Sequence, residues 1–149
     1  ANQDMPSALP EKYEMGTLNI VGIAGLYAAL GWVLETTVDV LCKKEKENRN
    51  RLLDILHNYW FIKVVGNYPE NKYVGIVSCL IDGMSSDSAG TIFDKAGVAV
   101  RTGLQCAPLA HEFMQTYPAG TIRFSTSYFT TEEDYQALIN VLDYIEENL

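Results

Sequence analysis

The sequence has few of the residues that build disulfide networks or metal sites. Its 149 residues include three cysteines, Cys42, Cys79 and Cys106, and two histidines. The cysteines are odd in number, none are spaced as Cys-x-x-Cys, and the histidines add no ligand pattern. We therefore expect reduced thiols, a cytoplasmic location and no metal centre.

Basic residues and long apolar runs are also scarce. The chain has 11 lysines and arginines against 19 acidic residues, a net charge of -8. This charge argues against nucleic acid and anionic membrane surfaces as partners. No signal peptide is visible, and the most apolar run, residues 20–34, is shorter than the ~20 residues that a membrane-spanning helix needs.

What is present is a globular composition, with 48% hydrophobic residues and enough length for one domain with a core. The first ten residues have no starting methionine and no periodicity. We expect the chain to be a piece of a longer protein. Residues 1–15 would then be a connecting segment from the interior of that protein, and residues 16–149 would be one domain.

The periodicity along the chain predicts an α+β fold: a small mixed, mostly antiparallel sheet of three to four strands with helices packed mainly on one face. The first helix is apolar nearly all round and rich in small residues, which predicts close packing on a second domain or subunit. We expect the charged stretch 43–51 to be a solvated helix face and Cys42 and Cys79 to lie in the core. The predicted helices cover residues 21–35, 37–57, 86–96, 108–115 and 131 onward; the predicted strands cover 61–65, 74–81, 98–100 and 121–129.

A reactive cysteine is predicted at the stretch Val98-Ala-Val-Arg101-Thr-Gly103-Leu-Gln-Cys106-Ala-Pro108. Cys106 follows a short strand and a glycine, on a turn near Arg101 and just before a predicted helix. A fixed cation and a helix N-terminus both favour a thiolate over a thiol. The alternative is that Cys106 is a small core residue.

Two further places are candidate anion sites. Arg123 lies in the predicted strand 121–129 on the face that carries serines, and its planar guanidinium suits a carboxylate; the alternative is a structural ion pair. Gly16 and Thr17 form a turn ahead of the first helix, where backbone N–H groups and a hydroxyl can bind phosphate. There the alternative is that Thr17 or Asn19 only caps the helix. Thr130 and Glu133 predict a capping box for the last helix.

Taken in order, three motifs resemble the C-terminal part of cysteine desulfurases, which are pyridoxal-phosphate (PLP) enzymes of aminotransferase class V and fold type I. The motifs are Gly16-Thr17-x-Asn19, Arg101-Thr-Gly-x-x-Cys106-Ala-Pro and Thr121-x-Arg123-x-Ser125. The resemblance covers nearly the whole chain from about residue 15. It implies that residues 1–15 connect to a missing large domain and that residues 16–149 are the small C-terminal domain.

The resemblance also implies roles. Cys106 would take sulfur from L-cysteine or selenocysteine as a persulfide, and Arg123 would hold the substrate carboxylate, with Arg101 at the mouth of the site. Gly16 and Thr17 would reach the PLP phosphate of the neighbouring subunit in a homodimer. A sulfur-acceptor protein is a further expected partner.

Two features depart from the family pattern. A histidine often precedes the cysteine in the group with a compact cysteine loop, but here the residue is Gln105, which leaves proton transfer at that position in doubt; His111 could substitute or be structural. The family's cofactor lysine stands on a Ser/His-rich segment of the large domain, and no lysine here has that context. We therefore expect the chain alone to be inactive. Alternatives are a class V aminotransferase or selenocysteine lyase domain, and a stand-alone α+β interaction module.

Overall fold

The computed structural model describes residues 4–14, 16–69 and 72–149. The chain divides into two compact units, Ala1–Val38 and Asp39–Leu149. Residues 1–3 and 15 of the predicted connector, and residues 70 and 71 of the loop between the first two strands, lie outside the described residues.

The first unit consists of turns followed by one helix. Backbone hydrogen bonds from Lys12 to Ala8 and from Tyr13 to Pro10, both 2.9 Å, close the turns. Helix α1, Ile20–Thr36, is capped by Asn19, whose side chain accepts a hydrogen bond from the Gly22 amide at 3.0 Å. This helix extends the predicted one by a residue at each end. None of its residues is buried within the chain.

The second unit follows the predicted order of helices and strands closely. Helix α2 begins at the boundary between the units, and three strands form one antiparallel sheet in the order β1-β2-β3. Ser85 caps α3 by accepting from the Ser88 amide at 3.1 Å. The elements are α2, Val38–His57; β1, Ile62–Val65; β2, Ile76–Ile81; α3, Ser86–Lys95; α4, Pro108–Phe113; β3, Ile122–Ser125; and α5, Glu132–Glu147.

The core lies between one face of the sheet and helices α2, α3 and α5. Along β2, three buried side chains alternate with partly exposed ones, because successive residues of a strand point to opposite faces. Side chains of the three helices join the same buried cluster. This arrangement confirms the predicted fold class. The members of this cluster include Leu52, Leu56, Phe61, Val77, Cys79, Ile81, Phe93, Ile122, Phe124, Leu138, Leu142 and Ile145.

Three predictions about strands and caps were wrong in detail. The predicted strand over residues 98–100 does not form; only Arg101 pairs, through an isolated bridge to Arg123. Strand β3 ends at Ser125 rather than continuing to residue 129. The capping box of α5 is formed by Thr131 and Asp134, one residue later than predicted. The Thr131 amide donates to the Asp134 carboxylate at 2.8 Å.

The prediction for the charged stretch of α2 was also partly wrong. Arg49 is only 8% exposed, because its guanidinium stacks 4.3 Å from the ring centre of Tyr73 and donates to the Asn67 side chain at 2.8 Å. Arg51 pairs with Glu132 of α5 rather than with a neighbour on its own helix. Cys42 is exposed, contrary to the prediction, whereas Cys79 is fully buried as predicted.

Within the described residues, no single helix is long and apolar enough to cross a membrane. Helices α1 and α2 pass that criterion only when they are taken together, on length and composition alone.

Candidate active site

Arg101 and Arg123 lie directly opposite each other at the edge of the sheet. The Arg101 amide donates to the Arg123 carbonyl at 3.1 Å, and the Arg123 amide donates to the Arg101 carbonyl at 2.7 Å. Residues that exchange both backbone hydrogen bonds in an antiparallel pair send their side chains to the same face. The bridge therefore places two guanidinium side chains next to each other.

The register of the sheet shows which residues of the neighbouring strands lie beside the two arginines. Ser78 pairs with Arg123, and Val65 pairs with Ser78. Since Ile122 and Phe124, the neighbours of Arg123 along β3, are buried in the core, Arg123 and Ser78 point to the opposite face of the sheet. Ser78, which the sequence did not single out, is thus the polar neighbour of Arg123 on that face.

Arg123 has a donor without a protein acceptor. Its Nε atom is inaccessible to solvent and makes no hydrogen bond. No carboxylate of the described residues lies within ion-pair distance of Arg123 or Arg101. A buried donor left without an acceptor is costly, and two like charges opposite each other repel. An anion with two oxygens, such as a carboxylate, would satisfy both arginines.

Cys106 lies on a tight turn next to this pair and is exposed. The Ala107 amide donates to the Leu104 carbonyl at 2.9 Å, which closes a four-residue turn. The two central residues, Gln105 and Cys106, have φ of 47° and 61°, the left-handed conformation that such residues adopt rarely. The alternative of a core cysteine is therefore wrong, since the thiol faces solvent.

The turn is attached to the two segments that carry the arginines. The Gln105 side-chain amide donates to the Thr121 carbonyl at 3.0 Å and lies 3.4 Å from the Arg101 carbonyl. The Thr121 amide donates to the Gly103 carbonyl at 3.1 Å. A Cβ atom on Gly120 would lie 2.2 Å from the Gly103 carbonyl carbon, so the two backbones touch. The structure thus brings Arg101, Cys106 and Arg123 onto adjoining backbone.

Two other residues, His111 and Cys79, are structural. His111 is buried, and its Nδ1 atom lies 2.7 Å from the Thr116 hydroxyl oxygen. Cys79 is enclosed in β2, and burial raises the pKa of its thiol to about 12, which leaves it protonated and unreactive. Among the described residues, no group of three or more His, Cys, Asp or Glu side chains could hold a metal ion.

Gly16 and Thr17 belong to the first unit and form a bend before α1. Gly16 has φ of 89°. Asn19 caps the helix, so Thr17 does not. The Thr17 side chain is exposed, and its hydroxyl makes no hydrogen bond to any residue that the structure describes.

Sequence reasoning singled out Cys106, Arg101 and Arg123 as candidates, but it did not single out Ser78 or the contacts that Gln105 makes with Thr121 and Arg101. Ser78 stands in an apolar strand with no local signal, and only the register with β3 places it beside Arg123. Gln105 was noted only because it replaces a histidine, and its acceptors become visible only in the folded chain.

The chain matches the model of the family described as aminotransferase class-V over residues 2–138. A probable cysteine desulfurase from Xylella fastidiosa strain Temecula1 is 34% identical over 134 residues, which cover 89% of this chain and 31% of that protein. The chain thus spans about a third of the length of such relatives.

Solved structures agree in fold. A cysteine desulfurase from Thermococcus onnurineus NA1 aligns with a TM-score of 0.80 at 24% identity, covering 94% of this chain and 34% of that one. A cysteine desulfurase from Escherichia coli aligns with a TM-score of 0.75 at 25% identity, with the same two shares. The first likeness shows the fold alone. Together with the family match over most of the chain, these findings show that the chain belongs to the aminotransferase class-V family and is a cysteine desulfurase-like domain.

Proposed function

We propose that this chain is the part of a PLP-dependent cysteine desulfurase that supplies the sulfur-accepting cysteine and the carboxylate-binding arginine. One observation carries the proposal. The exposed thiol of Cys106 lies on a turn that contacts the Arg101 backbone, and Arg101 forms a bridge with Arg123. No carboxylate of the described residues forms an ion pair with either arginine. This arrangement offers a nucleophile and an anion site side by side.

Arg123 would hold the α-carboxylate of the substrate. A carboxylate accepts two parallel hydrogen bonds from one guanidinium, and such charge-assisted pairs are stronger than neutral ones. The Nε atom of Arg123 supports this role, since it is a buried donor without a hydrogen-bond acceptor among the described residues. Arg101 is more exposed and adds positive charge at the entrance.

Cys106 would act as the nucleophile. Its thiolate attacks the sulfur of the bound cysteine, a sulfur–sulfur bond forms, and the carbon–sulfur bond of the substrate breaks. The electron pair of that bond goes to the carbon, which takes up a proton to become alanine. Cys106 is left with a persulfide, which it passes on to a sulfur-acceptor protein or a small thiol. Selenocysteine would react in the same way.

PLP fits the residues present in two respects. The exposed Thr17 hydroxyl, on a bend before a helix, suits the phosphate, with the Gly16 backbone beside it. Arg123 suits the carboxylate of an amino acid bound to the cofactor. When bound, PLP supplies an electron sink that weakens bonds at the substrate carbons. We propose that the lysine that carries it lies outside this chain.

We further propose that the chain acts within a longer, homodimeric protein in the cytoplasm. The cysteine content supports that location, since the three cysteines are odd in number and none are spaced as Cys-x-x-Cys. Exposed apolar side chains along α1 support a covering partner surface, because a monomeric surface rarely shows so many together. They include Ile20, Val21, Ile23, Leu26, Tyr27, Leu30 and Leu34.

The test uses the longer protein loaded with PLP and measures alanine and sulfide from L-cysteine. We expect Cys106→Ala to abolish sulfur release and Cys42→Ala, an exposed cysteine on α2, to leave it unchanged. The isolated chain with added PLP should show no turnover. If Cys106→Ala keeps sulfur release while Arg123→Gln loses it, a class V reaction without a nucleophilic cysteine replaces this proposal. Turnover of selenocysteine alone would favour a selenocysteine lyase.

A further inference from the structure

The turn that carries Cys106 is strained, and one side chain holds it. Gln105 and Cys106 both have positive φ, 47° and 61°, although neither is a glycine. In L-residues this conformation brings Cβ too close to the following carbonyl oxygen. Strained backbone of this kind persists only when surrounding contacts enforce it, and it occurs often at functional sites.

The enforcing contact comes from Gln105. Its Nε2 atom lies 3.0 Å from the Thr121 carbonyl oxygen, 3.3 Å from the Thr121 hydroxyl oxygen and 3.4 Å from the Arg101 carbonyl oxygen. All three are acceptors, and Thr121 is only 2% exposed, so the anchor is rigid. One amide group thus ties the cysteine turn to both arginine-bearing segments.

We propose that Gln105 is a positioning residue for Cys106. Its amide ties the 104–107 turn to Thr121 and Arg101 and thereby sets the direction from which the Cys106 sulfur meets a substrate held at Arg123. An amide does not ionise, so Gln105 moves no proton; its effect on the reaction passes through the geometry of Cys106. This inference rests on the proposed function of Cys106 as the sulfur acceptor.

Two substitutions separate the hydrogen bonds from the backbone conformation. Gln105→Glu keeps the length of the side chain but replaces the donor with a carboxylate, an acceptor that faces the carbonyl oxygens of Thr121 and Arg101. Gln105→Gly removes the side chain while it relieves the backbone strain, because glycine adopts positive φ freely. If Gln105 served only to allow the positive φ of the turn, and its contacts with Thr121 and Arg101 did not matter, glycine would replace it without loss of function.

The chain contains a matched control. Gln115 also has a positive φ, 58°, and is exposed. Its side chain makes no hydrogen bond to the residues described in the structure. Gln115→Glu and Gln115→Gly therefore make the same chemical changes on the same kind of backbone, without breaking a contact to the arginine-bearing segments.

The experiment measures the longer protein with PLP bound. One readout is the single-turnover rate at which sulfur from L-cysteine reaches Cys106, followed by peptide mass spectrometry. We expect both Gln105 variants to be slower by about 10- to 100-fold, because misplacing a reacting group costs rates of this order, while KM for cysteine changes less than about twofold. The Gln115 variants should match the parent protein.

A second readout does not depend on the reaction. Hydrogen exchange of the peptide spanning residues 101–107 should be faster in both Gln105 variants, because the turn loses its anchor, and unchanged in both Gln115 variants. Wild-type transfer rates in Gln105→Gly, equal losses in Gln115→Gly, or a change in KM alone would each overturn the inference.

The two proposals fail in different ways. If Cys106→Ala still releases sulfide, the proposed function of Cys106 fails and the inference about Gln105 fails with it. If Cys106→Ala is inactive and Gln105→Gly transfers sulfur as fast as the parent protein, only the role of Gln105 is wrong.

Discussion

Arg101 and Arg123 exchange both backbone hydrogen bonds across an isolated antiparallel bridge, so two cations leave the sheet from the same face. No carboxylate of the described residues neutralises either of them. Like charges placed directly opposite each other cost stability. The pair is therefore better explained by an anionic ligand than by the fold.

The first prediction concerns the affinity of this pair for substrate. Arg123→Gln should lower kcat/KM for cysteine by roughly 100-fold, mainly through a higher KM, because a charge-assisted carboxylate contact is worth about 2–3 kcal/mol. Steady-state kinetics of the longer protein measures this. Arg51→Gln is the control, since Arg51 pairs with Glu132 on the surface; equal losses in the two variants would contradict the prediction.

The second prediction concerns the contact between the cysteine loop and the segment before β3. Gly120→Ala would put a Cβ atom 2.2 Å from the Gly103 carbonyl carbon, at a residue whose φ is 72°. Neither backbone can yield easily, so we expect a loss of roughly 3 kcal/mol in the free energy of unfolding. Denaturant titration of the chain would measure it.

Gly97→Ala is the matched control for that experiment. Gly97 has φ of 74°, but a Cβ atom there meets nothing within 4 Å. We expect a loss of about 1 kcal/mol from backbone strain alone. If the free energy of unfolding falls by the same amount in both variants, the close contact between Gly120 and Gly103 does not add to the cost of the substitution.

The third prediction concerns thiol reactivity. With a pKa of about 12, Cys79 holds roughly one thiolate in ten thousand at pH 8, and burial blocks access as well. Iodoacetamide at that pH should modify the exposed Cys42 and Cys106 and leave Cys79 intact until denaturant is added. Modification of Cys79 at the rate of Cys42 in the folded chain would count against its burial.

The same thiol predicts how stability depends on pH. The unfolded Cys79 ionises near pH 8.5, whereas burial keeps the folded thiol neutral up to about 12. The unfolded state therefore loses a proton first, and the free energy of unfolding should fall between these pH values, by at most about 1.4 kcal/mol per pH unit. Cys79→Ala should remove this part of the slope; identical slopes for the two proteins would exclude it.

The fourth prediction concerns Arg49. Its guanidinium is buried against the Tyr73 ring and donates to Asn67. Arg49→Ala should destabilise the chain by about 2 kcal/mol, through lost stacking and packing. Arg51→Ala, which breaks an exposed ion pair, should cost less than about 1 kcal/mol. Thermal unfolding of both variants tests the difference, and the reverse order would contradict it.

Local features of the sequence were enough to predict most elements. The ends of α3 follow from Ser85, which caps the first turn, and Gly97, which stops the helix. The alternation Ile122, Arg123, Phe124 predicted which side of β3 is buried, and the structure agrees. These signals act over a few residues, so they can be recognised without the fold.

Signals that depend on distant partners could not be recognised in this way. Cys42 lies at an apolar position of α2 but remains exposed, whereas Arg49 lies in a charged run but is buried by Tyr73 and Asn67. The strand predicted over residues 98–100 is reduced to one bridge at Arg101. In each case burial or pairing was decided by segments that are far away in the sequence.

The sequence by itself predicted the class of the fold and the order of most of its elements, and it singled out Cys106 and Arg123 as candidate site residues, because periodicity, capping and residue chemistry are local properties. Only the tertiary structure decided that Arg101 faces Arg123, that Ser78 lies next to Arg123, and that Gln105 ties the cysteine turn to the segments that carry both arginines. Strand register and side-chain partners depend on which distant segments pack together, and that is settled by burial of the shared core.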